Sequence, residues 1–302
     1  MKPLISATKA WIRRVSYWIV PLGLESFFRL KLRHFLPAKL KHEIKKNEKF
    51  RGKHKGDRCF ILATGPSIAK QDLTMLRDEK CIAVSQFYLH SKARLIDPLY
   101  HVEAPNHPPY GTDFTEKLMA GFRRHYSDRT QYFFGHTFYE HSFFSIFQAN
   151  KDLKPKNAFF INYAGSNQLN EHNCDDVRYW DITQTPFTGR SVVYCAIQLA
   201  VFMGFSKIYL LGCDHDYFQR FSNREYQDHH FYSDAEGGIE GVASYLSNFT
   251  MEQWFEEYYF RWKQYRLMKE YLSTRGQLIF NATEGGMLDV FPRVNLEDII
   301  HA

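Results

Sequence analysis

Two stretches of the chain gather side chains that can move protons or hold phosphate. Tyr226-Gln227-Asp228-His229-His230-Phe231-Tyr232 sets two imidazoles among phenols. A neutral imidazole, with an ordinary pKa of about 6.5, can take a proton from a hydroxyl group. A phenol can hydrogen-bond a departing phosphate without help from a metal ion. Surface histidines are common, so the run by itself assigns no base, and His229 and His230 remain equal candidates. The second stretch is Gly212-Cys213-Asp214-His215-Asp216-Tyr217. Adjacent residues rarely converge on one ion, so no metal site is expected there. Asp214 reads instead as an anchor within the site, and Tyr217 as a hydrogen-bond donor to phosphate.

Two further segments suit an anion. Ala63-Thr64-Gly65-Pro66-Ser67 puts a glycine between hydroxyls, so that a ligand can approach the backbone while Thr64 and Ser67 bond to phosphate oxygens. Gly65-Pro66-Ser67 is also an ordinary turn after a strand. It is neither GxGxxG nor GxxxxGK[ST], which argues against a standard NAD site and a P-loop kinase. Thr188-Gly189-Arg190-Ser191 precedes a strongly helical run, where free amides attract anions, Ser191 can cap and Arg190 adds charge. Capping alone would also account for Ser191.

The elements that must position these residues are legible as short apolar runs. Cys59 to Ala63 comes first. Cys81 to Val84, Leu99 to Val102, Gln131 to Phe134, Ala158 to Ile161, Lys207 to Leu211 and Gln277 to Phe280 follow. Helical stretches lie between them, at Ser191 to Phe202, ended by Gly204, and from about Met251 to Leu272. Strands alternating with helices predict an α/β fold with a mostly parallel, Rossmann-like sheet and helices on both faces. In such folds ligands bind beyond the carboxyl ends of the strands, where Ala63–Ser67 and Gly212–Tyr217 fall. The polar stretch 218–247 is expected to be a lid.

Composition bounds the rest. A chain of 302 residues, 44% hydrophobic and 17% aromatic, can bury a large core. Five scattered cysteines without a CxxC pair predict reduced thiols and a cytoplasmic home. The net charge of +6 is uneven: residues 1–58 hold 16 Lys/Arg and four acidic residues, leaving 23 and 29 for the remainder. The body is therefore acidic, which argues against a nucleic-acid-binding surface. The basic segment also carries Trp11, Trp18, Phe27, Phe28 and Phe35. We divide the chain into a basic helical arm, 1–57, and a catalytic domain, 58–302. Residues 1–50 are expected to lie on an anionic membrane surface, at the inner face of the cytoplasmic membrane, without spanning it. A helical arm packed on the body is the other reading, and a homo-oligomer is left open.

At these same motifs the sequence resembles a known group. Phe60 through Ser67 followed by Ser85-Gln86-Phe87-Tyr88 resembles the opening of the bacterial lipooligosaccharide sialyltransferases, which use CMP-sialic acid. Thr188 to Ala200, then Phe205 to Asp214, resembles their second block. Phe280-Asn281-Ala282-Thr283-Glu284-Gly285-Gly286 and Phe291 are similar to the MptE-like Rossmann family, which includes pterin diphosphokinases. The resemblance implies that Gly65, Pro66 and Ser67 line the nucleotide's phosphate and sugar, that Gln86 lies beside the donor, and that Gly189 and Ser191 contact it. It also implies Tyr217 and Tyr226 as paired phosphate-stabilising tyrosines and His230 as the base. Thr64 and Ser85 stand where that family has asparagines at the donor. The expected activity is inverting, metal-independent and cofactor-free transfer of an acidic sugar from a CMP-linked donor to a surface glycan or glycolipid. The alternatives are ATP- and Mg²⁺-dependent diphosphate transfer, with Asp214 and Asp216 as metal ligands, and a non-catalytic nucleotide-binding subunit of glycan assembly.

Overall fold

A computed structural model of the chain describes residues 36–165, 168–189, 191–217, 230–238 and 249–301. Every apolar run noted above forms a strand: β1 Arg58–Leu62, β2 Cys81–Val84, β3 Tyr100–Glu103, β4 Gln131–His136, β5 Ala158–Asn162, β6 Lys207–Leu211 and β7 Leu278–Asn281. They pair in the order β5-β4-β3-β2-β1-β6-β7, and every pairing is parallel. Strands buried on both faces can be apolar at every position, which is why they read as unbroken runs and not as alternations.

Successive side chains of a strand still point to opposite faces. Cys59, Ile61 and Ala63 join a core with helices α4 (Val192–Met203) and α5 (Met251–Thr274). Phe60 and Leu62 join the opposite core with α2 (Thr112–His125), α3 (Phe143–Ala149) and α6 (Leu296–Ile300). The structure is thus a parallel sheet with helices on both faces. Helix ends follow sequence signals. Gly204 closes α4 at φ +84, a left-handed conformation that a Cβ disfavours. Thr250 and Gln253 form a reciprocal capping box at the start of α5.

Chain order sets where a ligand can enter. From β1 to β5 each strand is added on the same side, and β6 then returns to the other side of β1. The crossovers beyond the carboxyl ends of β1 and β6 therefore lead away from each other and leave a crevice between them.

The structure redraws the arm. Residues 36–57, assigned to the arm on the sequence, pack onto the body. Helix α1 (Ala38–Lys45) buries Leu40 and Ile44, and Asn47 and Phe50 after it are fully buried. Asn47 Nδ2 donates to the carbonyls of Phe160, on edge strand β5, and Ile182 at 2.8 and 3.0 Å. Phe50 packs edge-on against Phe133 and Phe159. The segment covers an edge that would otherwise present open backbone groups. Residues 1–35 lie outside the described residues, as does most of the expected lid. Among the described residues no helix is long and apolar enough to cross a membrane. All five cysteines are buried and free.

Candidate functional site

The loops after β1 and β6 are fastened to each other. Ala63 and Gly65 donate backbone hydrogen bonds to Leu211 and Gly212 at 2.9 and 2.8 Å. Beyond them the Asp214 carboxylate accepts from the Ser67 amide at 3.1 Å and the Ser67 hydroxyl at 2.8 Å. This contact explains Gly65 differently from the sequence reading, which left room there for a ligand. A Cβ on Gly65 would stand 2.0 Å from Asp214 Oδ2, so the space is already filled by the carboxylate. Behind Asp214, Gly286 at φ +70 is held just as closely, because its Cβ would lie 2.7 Å from Asp214 Cα.

A cavity of about 80 Å³ opens at the β1–β6 crevice, and seven of the residues singled out on the sequence line it: Thr64, Gly65, Ser85, Ser191, Asp214, Tyr217 and His230. Small-molecule pockets are usually 300–1,000 Å³. The enclosed space therefore suits the reacting groups of a ligand better than a whole nucleotide sugar. Ser85, at the end of β2, adopts φ +50, and His215 adopts φ +51. Non-glycine residues seldom take this conformation, and such strain concentrates at functional sites.

His230 is held from two sides. Its Nδ1 lies 2.9 Å from Thr64 Oγ1, and its ring stacks on Tyr232 at 4.9 Å between centroids. The next residue, Phe231, donates its amide to the Thr64 carbonyl at 3.0 Å. Buried Tyr232 donates to Gln86 Oε1 at 2.8 Å. When Nδ1 carries the proton and donates to Thr64, Nε2 keeps its lone pair, as a general base requires. Burial raises the Tyr217 phenol, against a smaller opposing pull from Arg261, so the group stays protonated and able to donate at neutral pH. Helix α4 begins beside the cavity with Ser191, whose hydroxyl caps the Val193 amide at 3.3 Å.

Other expected site residues stand farther back. Pro66 starts a short 3₁₀ turn, Ser67 tethers Asp214, and Gln86 supports Tyr232. Gly189 does not line the cavity; the ring of Tyr194 fills its Cβ position, and a Cβ there would be 1.9 Å away. Its smallness serves packing. Arg190, His229 and Tyr226 lie outside the described residues. Among the described residues no three His, Cys, Asp or Glu side chains gather as metal ligands.

Sequence reasoning missed a layer behind the cavity. His215 Nε2 lies 2.7 Å from the Tyr265 hydroxyl, and Tyr258 donates to the His215 carbonyl at 3.1 Å. Burial, with Arg261 nearby, pushes the His215 imidazole well below its usual range, so it is neutral. Tyr258, Arg261 and Tyr265 all come from α5, whose only signal in the sequence was a density of aromatics. A larger depression, of about 460 Å³, is lined by Lys70, Asp72, Glu284, Arg293 and Glu297 among others. Its charges are mixed, and the Arg293 guanidinium is spent on backbone carbonyls, among them Gly286 at 2.8 Å. We place the candidate site in the smaller cavity, where three loops and a helix start meet at the switch in strand order.

No family model matches the chain, and no curated protein does. Among solved structures it is similar to the sialyltransferase CstII from Campylobacter jejuni, determined in complex with a substrate analogue, cytidine-5'-monophosphate. The two share 14% identity over 80% of this chain and 85% of that one, with a TM-score of 0.45.

Proposed function

We propose that the chain is a glycosyltransferase that binds a nucleotide-activated sugar at the β1–β6 crevice and moves an acidic sugar from a CMP-linked donor to a glycan or glycolipid. One observation carries this reading. His230, oriented through Nδ1 by Thr64, shares one cavity with the phenol of Tyr217 and the start of α4. A base and phosphate-directed donors are what an inverting displacement needs on its two sides. His230 would take the acceptor hydroxyl proton as the oxygen attacks the anomeric carbon. The bond to the nucleotide phosphate would break, and Tyr217 with the α4 amides would receive the charge.

The diphosphokinase alternative asks Asp214 and Asp216 to hold Mg²⁺. Both oxygens of Asp214 already accept hydrogen bonds from Ser67, which favours the metal-independent reading. The same proposal keeps the protein in the cytoplasm against an anionic membrane surface. Its support is the excess of seven Lys/Arg over one acidic residue in 1–35. Because 36–50 are packed on the sheet, 1–35 are left for that role.

The deciding experiment measures melting temperature with CMP, UDP, GDP, ATP plus Mg²⁺ and CMP-sialic acid, followed by sugar transfer to a glycan acceptor. CMP and CMP-sialic acid should stabilise most, by about 2.7 kcal/mol at 100 times the dissociation constant. Stabilisation by ATP with Mg²⁺ and none by CMP would replace this proposal with diphosphate transfer.

A further inference from the structure

Helix α5 brings a cation to the back of the cavity. The guanidinium of Arg261 lies 5.3 Å from the ring centre of Tyr217, and Tyr217 lines the cavity. Its Nε is buried without a hydrogen-bond partner. Among the described residues no carboxylate forms an ion pair with it, although the charge of Glu257 is felt there. A desolvated charge is costly unless something of opposite sign meets it, and a tyrosine face compensates only in part.

Two further features belong to the cavity wall in front of Arg261. His215, 6% exposed, lines the cavity, and its Nδ1 is buried with no partner. Helix α4, twelve residues long, begins at the cavity wall with Ser191, Val192 and Val193. A guanidinium, an unsatisfied imidazole nitrogen and a helix start together describe a receptor for a compact anion with several acceptor oxygens.

We infer that Arg261 is the principal positive charge for a phosphoryl group bound in this cavity, and that it supplies the charge compensation a metal ion supplies elsewhere. The inference rests on the nucleotide-binding reading above and adds to it the charge that faces the leaving phosphate from behind Tyr217. Arg261 does not line the cavity itself; it acts on the phosphate as a charge behind the Tyr217 ring and takes no part in proton transfer.

The test compares each nucleotide with its own nucleoside by calorimetry: CMP against cytidine, and likewise for UMP, GMP and AMP. For Arg261→Gln, CMP affinity should fall by roughly 10- to 100-fold, the scale of losing a nearby unit charge in a partly buried site, while cytidine affinity holds. Arg261→Lys, which keeps the charge but loses the flat fork, should recover most of the loss. Should the glutamine variant not fold, Arg261→Met, which keeps an apolar stem over Tyr217, replaces it. Unchanged CMP affinity, or equal losses for CMP and cytidine, would overturn the inference. A wild-type preference for another base sinks the CMP reading alone, because the nucleotide-to-nucleoside difference still judges Arg261. Absence of any such difference in the wild-type protein overturns both.

Discussion

His230 and Thr64 come from segments 166 residues apart and meet at 2.9 Å. Removing the imidazole should cut turnover by roughly 10²–10⁴-fold, the usual scale for a general base, with donor affinity nearly unchanged. Thr64→Val keeps the branched shape but loses the oxygen that orients the ring. It should lower turnover less than His230→Ala and leave the melting temperature close to wild type. Initial rates against pH, with donor affinity measured separately, distinguish the two, and wild-type rates for His230→Ala would remove it from the mechanism. At the tether, Gly65→Ala must displace the Asp214 carboxylate, since the new Cβ would stand 2.0 Å from it. Overpacking of this kind costs about 1–3 kcal/mol, measurable by urea unfolding, and ligand affinity should fall with it. Thr64, Gly65 and Asp214 were visible on the sequence because they followed apolar runs, and His230 because its polar run set two imidazoles among phenols and matched the family resemblance. Arg261 and Tyr265 were not, because a charge or phenol within an aromatic helix looks like any half-exposed position until its neighbours are known.

Segment 36–57 shows why element types were easier to read than domain limits. The strands announced themselves, since a parallel sheet buried on both sides requires continuous apolar runs. Phe50 stood alone in a charged stretch, and only its contacts with Phe133 and Phe159 reveal it as core. Phe50→Ala should therefore destabilise the protein by about 3–5 kcal/mol. Truncation gives a sharper comparison. A chain starting at residue 36 should unfold cooperatively, whereas one starting at 51 loses Leu40, Ile44, Asn47 and Phe50 and should not. Circular dichroism melts of the two check this. If 36–302 folds, its binding to anionic vesicles relative to the full chain isolates the contribution of residues 1–35, which should weaken with salt.

For the whole molecule, acid should be the destabilising direction. His136, at the carboxyl end of β4, is 5% exposed, and neither ring nitrogen has a partner. Burial lowers its pKa to about 4. The unfolded chain, with a histidine pKa of about 6.5, therefore binds a proton that the folded chain refuses. Stability from this site is complete above pH 6.5 and falls as the pH drops toward 4, by about 3 kcal/mol in all. His136→Phe, placing a ring beside Phe138 and Phe144, should flatten that slope. Urea midpoints at pH 7.5 and 5 measure it, and equal slopes in variant and wild type would assign the acid sensitivity elsewhere.

The strand order also has a consequence during synthesis. Interior strand β1 is complete at Leu62, but its partner β6 begins only at Lys207. At about 5–20 residues per second the ribosome needs roughly 7–30 s to make the intervening chain. Throughout that interval this interior strand has at most one neighbour and a bare side, and the crevice that would hold the ligand does not yet exist. A nascent chain of this design must be sheltered from its own kind until its last third emerges, and it can become competent to bind only when translation is nearly finished.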